Sequence, residues 1–252
     1  SLSNTSYWRY DRFYYDKANA KSSTLNFLGG TVKAGLNYNI NKYHNVFANV
    51  GFISRAPYFS GGAFLQSTTS NVTNKDALNE KILSFELGYG FRSSFLSANL
   101  NLYHTEWKDK TMTKGIPIKT DDVETDRASI NMSGVDARHQ GVELDFTARP
   151  FQWLDITGMF SIGDWKWVSN PKGYFYNSQG QPLSDLQSGA LASGIQSSDH
   201  AWSQLDLKDV KVGGSAQTTA ALGATFKPSK ETLLTIYSMV ETMLIGTLRL
   251  MI

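Results

Sequence analysis

Cysteine is absent from the 252 residues, which excludes a disulfide-stapled scaffold and any thiolate-bound metal centre. No stretch of eighteen apolar residues occurs either, so no helix built from this sequence is long and greasy enough to cross a bilayer. Charge is scarce. With 18% charged residues and a net charge of +2, no basic field is available to attract a polyanion, and nucleic acid is not an expected partner. The opening Ser1-Leu2-Ser3-Asn4 has no basic segment followed by an apolar one, so these residues are expected to come from the middle or end of a longer protein.

What the sequence does have is alternation. Between Asn45 and Arg55, the residues Val46, Ala48, Val50 and Phe52 fall on one face, with Asn49, Gly51, Ile53 and Arg55 on the other. Leu83, Phe85, Leu87, Tyr89 and Phe91 alternate in the same way with Ser84, Glu86, Gly88 and Gly90. The pattern recurs over 30–40, 96–103, 142–149, 154–163, 217–226 and 233–240. Period-two patterning predicts β-strands with one greasy and one polar face, and eight such segments are present. Residues 1–24 carry Tyr7, Trp8, Tyr10, Phe13, Tyr14 and Tyr15 among charges. They read either as the outer end of a strand or as a loop.

The connections sort the strands into a topology. Those near 41–44, 92–94, 149–152 and 227–230 are short, whereas 56–79, 108–137 and 167–212 are long and rich in Gly, Ser, Asn and Asp. Short and long alternate, as in a transmembrane up-and-down barrel with turns on one side and loops on the other. Segments of about ten residues also match a tilted crossing of the hydrocarbon core. A Lys or Arg facing lipid at the midplane costs about 2–4 kcal/mol, so lipid takes the Leu, Val and Phe faces. Arg55, Glu86, Glu143 and Asp145 then point into the lumen. The expected fold is therefore all-β, an antiparallel up-and-down transmembrane barrel of which about eight strands are present. A soluble glycan-binding sandwich and a complete eight-strand passive barrel are the competing readings.

Several motifs sit within this frame. Arg55-Ala56-Pro57 closes one strand, Asn79-Glu80 and Phe85-Glu86-Leu87-Gly88 open the next, and Gly141-Val142-Glu143-Leu144 lies on a later one. In order and spacing they resemble the TonB-dependent outer-membrane receptor family, over about residues 25–165. The run Phe59-Ser60-Gly61-Gly62-Ala63-Phe64 is most similar to receptors of Bacteroidetes-type bacteria. The resemblance implies a twenty-two-stranded barrel around an N-terminal plug, which an energised inner-membrane transducer of the TonB type moves to admit a ferric siderophore, cobalamin or a glycan. It implies that residues 1–252 are the C-terminal portion of such a barrel, in the cell outer membrane, without the plug and without enzymatic activity. Arg55, Glu80, Glu86 and Glu143 are the expected lumen-facing or plug-facing groups. The family closes on an amphipathic strand ending in Phe or Trp, whereas Met243 to Ile252 breaks the alternation.

Other candidates carry less chemistry. His44, His104, His139 and His200 lack metal-ligand spacing and read as surface histidines. No nucleophile sits in a recognisable catalytic motif, and no cofactor is expected. Asp121, Asp122, Glu124 and Asp126 form an acidic run, either a calcium-binding loop or, more simply, a solvated one. Trp165, Trp167, Tyr174 and Tyr176 are candidates to stack on a ligand. The competing reading puts the two tryptophans in an interfacial aromatic girdle and the tyrosines in ordinary loop packing.

The period leaves one arrangement of faces: Phe85 and Leu144 meet lipid, and Glu86 and Glu143 do not. Spin labels at the two sets in the full receptor should separate by their access to lipid-dissolved oxygen. Equal access at both would return the chain to a sandwich.

Overall fold

The computed structural model describes residues 1–11, 16–65, 71–120, 123–229 and 232–242, with the backbone alone at 119–120, 123–126, 228–229 and 232–242. Asp121, Asp122, the Phe13–Tyr15 aromatics and the 243–252 tail therefore lie outside the described residues. The strands are β1 (Leu2–Tyr7), β2 (Leu25–Asn39), β3 (His44–Arg55), β4 (Glu80–Arg92), β5 (Leu96–Thr120), β6 (Val123–Phe151), β7 (Leu154–Trp167), β8 (Lys172–Asn177), β9 (Trp202–Gln204), β10 (Thr218–Ser229) and β11 (Thr232–Thr242). All pairings between them are antiparallel. Nine strands follow one another as β1-β2-β3-β4-β5-β6-β7-β10-β11, with β8 added to β6 and β9 to β8. Among the described residues β1 and β11 are the two edges and do not meet, so the sheet is an open arc of barrel wall rather than a closed eight-strand barrel. Among the described residues no second sheet packs against it, which removes the sandwich.

Register is carried by the faces. Over the twelve positions of β3, His44 to Arg55 pair with Phe91 to Glu80 without a shift. Rows across the sheet are therefore chemically uniform: Ala48, Leu87, Leu102, Val142 and Ile162 stand side by side. This row and its neighbours hold exposed Leu36, Phe85, Leu100, Leu144 and Phe160. A slip by one residue would turn the whole set to the other side. Twelve residues at about 3.3 Å each, tilted by about 45°, rise ~28 Å, close to the hydrocarbon thickness of about 30 Å. Two glycines let the rows close up. The Phe47 ring lies over Gly88 on the polar face, and the Phe146 ring over Gly158 on the apolar face, where a methyl group would meet ring carbons within 2.5 Å. At the short-turn end, Phe151 stacks on Trp153 and Trp153 meets Phe226 edge-on, an aromatic group placed where headgroups begin.

All the long connections emerge from one end of the sheet, but they are not all loops. The stretch 108–137 was expected to be irregular, and it is instead a continuation of β5 and β6 as a ladder reaching Thr120 and Val123. Bulges at Trp107–Met112 mark where the membrane-length sheet ends and the outer hairpin begins. Asp109 there has φ 60° and Gly134 φ 73°. The Asp109 amide donates to Asp136 Oδ1 (3.0 Å), the Asp136 amide to Ser169 Oγ (2.8 Å), and Ser169 Oγ to the Gly134 carbonyl (3.0 Å). Bulges bend and twist a strand, and this chain of bonds holds the bend in place. Beyond it, β8 and β9 cover the hairpin.

The hydrophobic core sits in this outer cap. Ala128, Ile130, Met132, Val135, Phe175, Leu183, Leu205 and Leu207 form one buried cluster, with Met112, Ile116 and Trp167 against it. The barrel wall has no such core, because lipid covers its apolar face. Truncating Leu205 to Ala should therefore cost about 2–5 kcal/mol, and the loss should be local. Hydrogen exchange in β8 should quicken while amides in β3 and β4 keep wild-type protection.

Candidate functional site

The polar face is organised from the corner where β3 ends. Pro57 has no amide hydrogen to continue the ladder, so pairing stops at Arg55 and the chain turns away. The zero-shift register places Arg55 opposite Glu80. Arg55 Nε and Nη2 both donate to Glu80 Oε2, at 2.9 and 2.8 Å. Glu80 is 1% exposed, and its other oxygen, Oε1, is buried without a hydrogen-bond partner. Asn79 completes the corner, its Nδ2 donating to the Leu28 carbonyl at 2.6 Å and to Ser54 Oγ at 3.0 Å. Two motifs twenty-five residues apart in sequence thus meet as one ion pair. Arg55 was expected to face the lumen, and there Glu80 on the neighbouring strand neutralises its charge.

An indole extends the cluster. The Arg55 guanidinium lies 5.0 Å from the Trp107 ring centre and Lys110 Nζ 4.7 Å from it, within cation–π range. Trp107 Nε1, Thr111 Oγ1 and, further down the wall, Asn101 Oδ1 are buried and unpartnered. Sequence reasoning missed Trp107, although it shares the parity of Asn99, Asn101 and Tyr103 on β5.

Glu86 and Glu143 stand on the same face as Arg55, opposite Asn49 and Asn101 respectively. Asn49 Nδ2 donates to Glu86 Oε2 (3.2 Å) and Asn99 Nδ2 to Asp145 Oδ2 (2.9 Å). Amides from adjacent strands therefore partner Glu86 and Asp145. Beside Glu86, across β2 to β5, lies a depression of about 570 Å³ whose lining includes Lys33, Asn49, Gly51, Ser84 and Thr105. Gly35 and Gly51 carry no side chain to fill it.

Trp165 and Trp167 lie on this polar face too, paired with His139 and Ala137, and so do not belong to a lipid-facing girdle. The Trp165 indole N–H donates to the Tyr103 hydroxyl at 2.8 Å, and His139 packs on its ring. Trp167 joins the cap core. Tyr174 and Tyr176 flank His200, with ring centres 4.9 and 5.0 Å away. Burial, with Asp76 and Tyr174 adding to it, pushes the Tyr176 hydroxyl up to about 12, so it stays a neutral group. His200 is buried, not a surface residue, and its ring nitrogens face the Ile195 and Phe175 carbonyls at 2.7 and 2.9 Å. In the cap loop, the Ser197 and Ser193 donors hold the Asp199 carboxyl down to about 2.

The loop after β3 docks inward on the hairpin. Thr113 Oγ1 donates to the Gly61 carbonyl at 3.0 Å, Asn131 Nδ2 to Thr113 Oγ1 at 2.7 Å, and Asn74 Nδ2 to the Gly62 carbonyl at 3.0 Å. The Phe59–Phe64 motif is thus docked against the hairpin, with Ala63 and Phe64 fully buried. Gly61, at φ 78°, takes a conformation that favours glycine. Of the acidic run, the backbone of Glu124 and Asp126 continues β6. Among the described residues no group of three His, Asp or Glu is arranged to hold a metal.

Comparison with known proteins adds one finding. No curated protein and no solved structure matches the chain. A family model described as TonB dependent receptor-like, beta-barrel, matches residues 5–237. That match takes in the arc of wall, the Arg55–Glu80 corner and the outer cap together, and the chain belongs to this TonB-dependent receptor β-barrel family of outer-membrane transport receptors.

Proposed function

We propose that these residues form the C-terminal portion of the barrel of an active-transport receptor. It imports a scarce ligand, such as a ferric siderophore, cobalamin or a glycan, with energy from a TonB-type transducer. The observation that carries the reading is the contrast between the two faces. One is apolar and exposed for the depth of a bilayer, while the other carries paired carboxylates, amides and indoles that need water or protein beside them. The two unjoined edges, β1 and β11, leave room for further strands of a wider barrel, and a wider barrel has space for a plug. The polar depression and the unpartnered atoms at Glu80, Trp107 and Thr111 are the places on the wall where a plug seats.

Arg55 acts through Glu80 in this scheme, as one half of a rigid corner that the plug contacts. Removing Arg55 alone strands a buried carboxylate, at about 3–5 kcal/mol, and confuses folding with function. The double replacement Arg55→Ala with Glu80→Ala in the full receptor avoids this. Surface affinity for the ligand should stay within about twofold, under 0.5 kcal/mol, while uptake falls or leakage of small solutes rises. Collapse of affinity with an unchanged permeability barrier would assign the pair to the ligand site.

The aromatic residues divide by exposure. Tyr176 supports the cap from within, and Trp165 and Tyr174, half-buried, offer ring faces to a flat chelate or sugar. Trp165→Ala should weaken ligand binding by about 0.5–1.5 kcal/mol with normal folding. Unaltered binding by titration calorimetry would remove Trp165 from the ligand site.

A further inference from the structure

At the short-turn end of the wall the polar face changes sign. Further up it carries Glu86, Glu143 and Asp145 against Lys33. At the turns, among the described residues, Lys42, Arg92, Arg149 and Lys227 stand against Asp155 alone. Asp155 is already held, by Lys227 Nζ at 2.5 Å and by Arg149 Nε at 3.6 Å. Between the turns lies a cleft of about 280 Å³ whose lining includes Arg92, Ser97, Thr147 and Arg149. Register explains the grouping: Arg92 pairs with Ser97 and Ser97 with Thr147, so these side chains share the face of Glu86 and Glu143. Arg149 is fixed beside them by its amide, which donates to the Phe95 carbonyl at 2.6 Å. Among the described residues no carboxylate lines the cleft, and the Arg92 guanidinium and the Ser97 and Thr147 hydroxyls have no partner. The next carboxylate up the wall, Asp145, takes the Asn99 amide instead.

We propose that this cleft docks an acidic peptide segment of a partner protein on the periplasmic side. The inference rests on the membrane placement proposed above, which puts the short turns in the periplasm. Carboxylates of the segment meet Arg92 and Arg149 in charge-assisted hydrogen bonds, and its backbone meets the Ser97 and Thr147 hydroxyls. Arg149 touches Asp155 through Nε alone and its side chain is 62% exposed, so its Nη groups stay available. The spacing suits an extended chain. Arg92 and Arg149 stand two strands and one row apart, about 12 Å between Cα atoms at about 4.8 Å per strand and ~3.4 Å per residue. An extended peptide covers that span in about four residues. Lys42 and Lys227 widen the positive field that steers an acidic partner to the mouth. The mid-wall carboxylates repel the same segment, so it stops at the mouth and does not thread the lumen. A lipid phosphate does not fit, because its acyl chains belong on the opposite face of the sheet.

The test uses the full receptor in detergent micelles and two fluorescein-labelled peptides, one of alternating Glu and Gly, the other with Gln in place of every Glu. Fluorescence anisotropy should find the Glu peptide bound about tenfold more tightly, equivalent to about 1.4 kcal/mol, with the difference shrinking as salt is raised. Arg92→Gln with Arg149→Gln should remove the difference. That double variant leaves Asp155 paired with Lys227, so the turn keeps its ion pair. Lys208→Gln, an equal loss of charge at the long-loop end, should change nothing. Equal binding of the two peptides overturns the site, as does a difference that survives Arg92→Gln with Arg149→Gln. Displacement of the Glu peptide by inorganic phosphate, where chloride of the same ionic strength has no effect, overturns the peptide assignment in favour of a small-anion site. A cysteine at Ser94 separates this inference from the placement on which it rests. It should resist an impermeant maleimide in intact cells and react once the outer membrane is permeabilised. Protection there without a peptide preference overturns the cleft alone, whereas labelling in intact cells overturns the membrane placement.

Discussion

Pairing of the backbone polar groups is the constraint on which the wall depends. In hydrocarbon no water is available to an unpaired amide or carbonyl, and only neighbouring strands can satisfy it. That requirement explains why β2 to β4 and the membrane part of β5 pair without a single bulge, and why the shifts between β5 and β6 begin at Trp107–Met112 and the shift between β6 and β7 lies at Ala148–Phe151, at the two ends of the apolar band. It also explains why the side chains are free to differ so much from one face to the other. Backbone bonds hold the sheet, lipid covers one face, and the other is left for polar function.

Stability is consequently distributed in an unusual way. A soluble domain buries its apolar residues inside, yet here Leu36, Val32 and Leu28 are 80%, 70% and 74% exposed. The buried cluster belongs to the cap, where water surrounds the chain and the hydrophobic effect operates as in any small domain. The cap and the wall meet at the bulges, tied by Asp109, Asp136, Ser169 and Gly134. A long loop that only needed to be solvated would not require Ile130, Phe175 and Leu205 packed together.

The sequence made the wall legible because the period of two is enforced by lipid on every strand. The faces of Phe85, Glu86, Glu143 and Leu144 and the alternation of short and long connections follow from that period, as does the polar-side position of Trp165, whose place among the odd residues of β7 outweighs its resemblance to a girdle tryptophan. The cap was not legible. Residues 108–137 are rich in Lys, Thr and Asp, which masks the short alternation of Ala128, Ile130 and Met132 and of Ile116 and Ile118 that packs into the cap core. His200 reads as a loop residue in sequence and is buried where Tyr174 and Tyr176 flank its ring and the Ile195 and Phe175 carbonyls face its nitrogens.

The Arg55–Glu80 pair shows what a motif can and cannot convey. Its two halves are recognisable by order and spacing, but their relation is set by a register that no local pattern contains. Once the pair forms, the guanidinium is no longer a free attraction for a distant charge, since Glu80 neutralises it at close range. What the corner offers instead is shape and fixed donors. Pro57 is buried, Asn79 bridges two strands, and Trp107 is held between Arg55 and Lys110. The remaining lone pairs of Glu80 Oε1 and the Trp107 N–H carry the desolvation cost of groups left unmatched. With Asn101 Oδ1 further down the wall, these unmatched groups are all buried atoms of side chains on or beside the polar face. In the proposed scheme, contact with another element matches them, and the polar face is half of an interface.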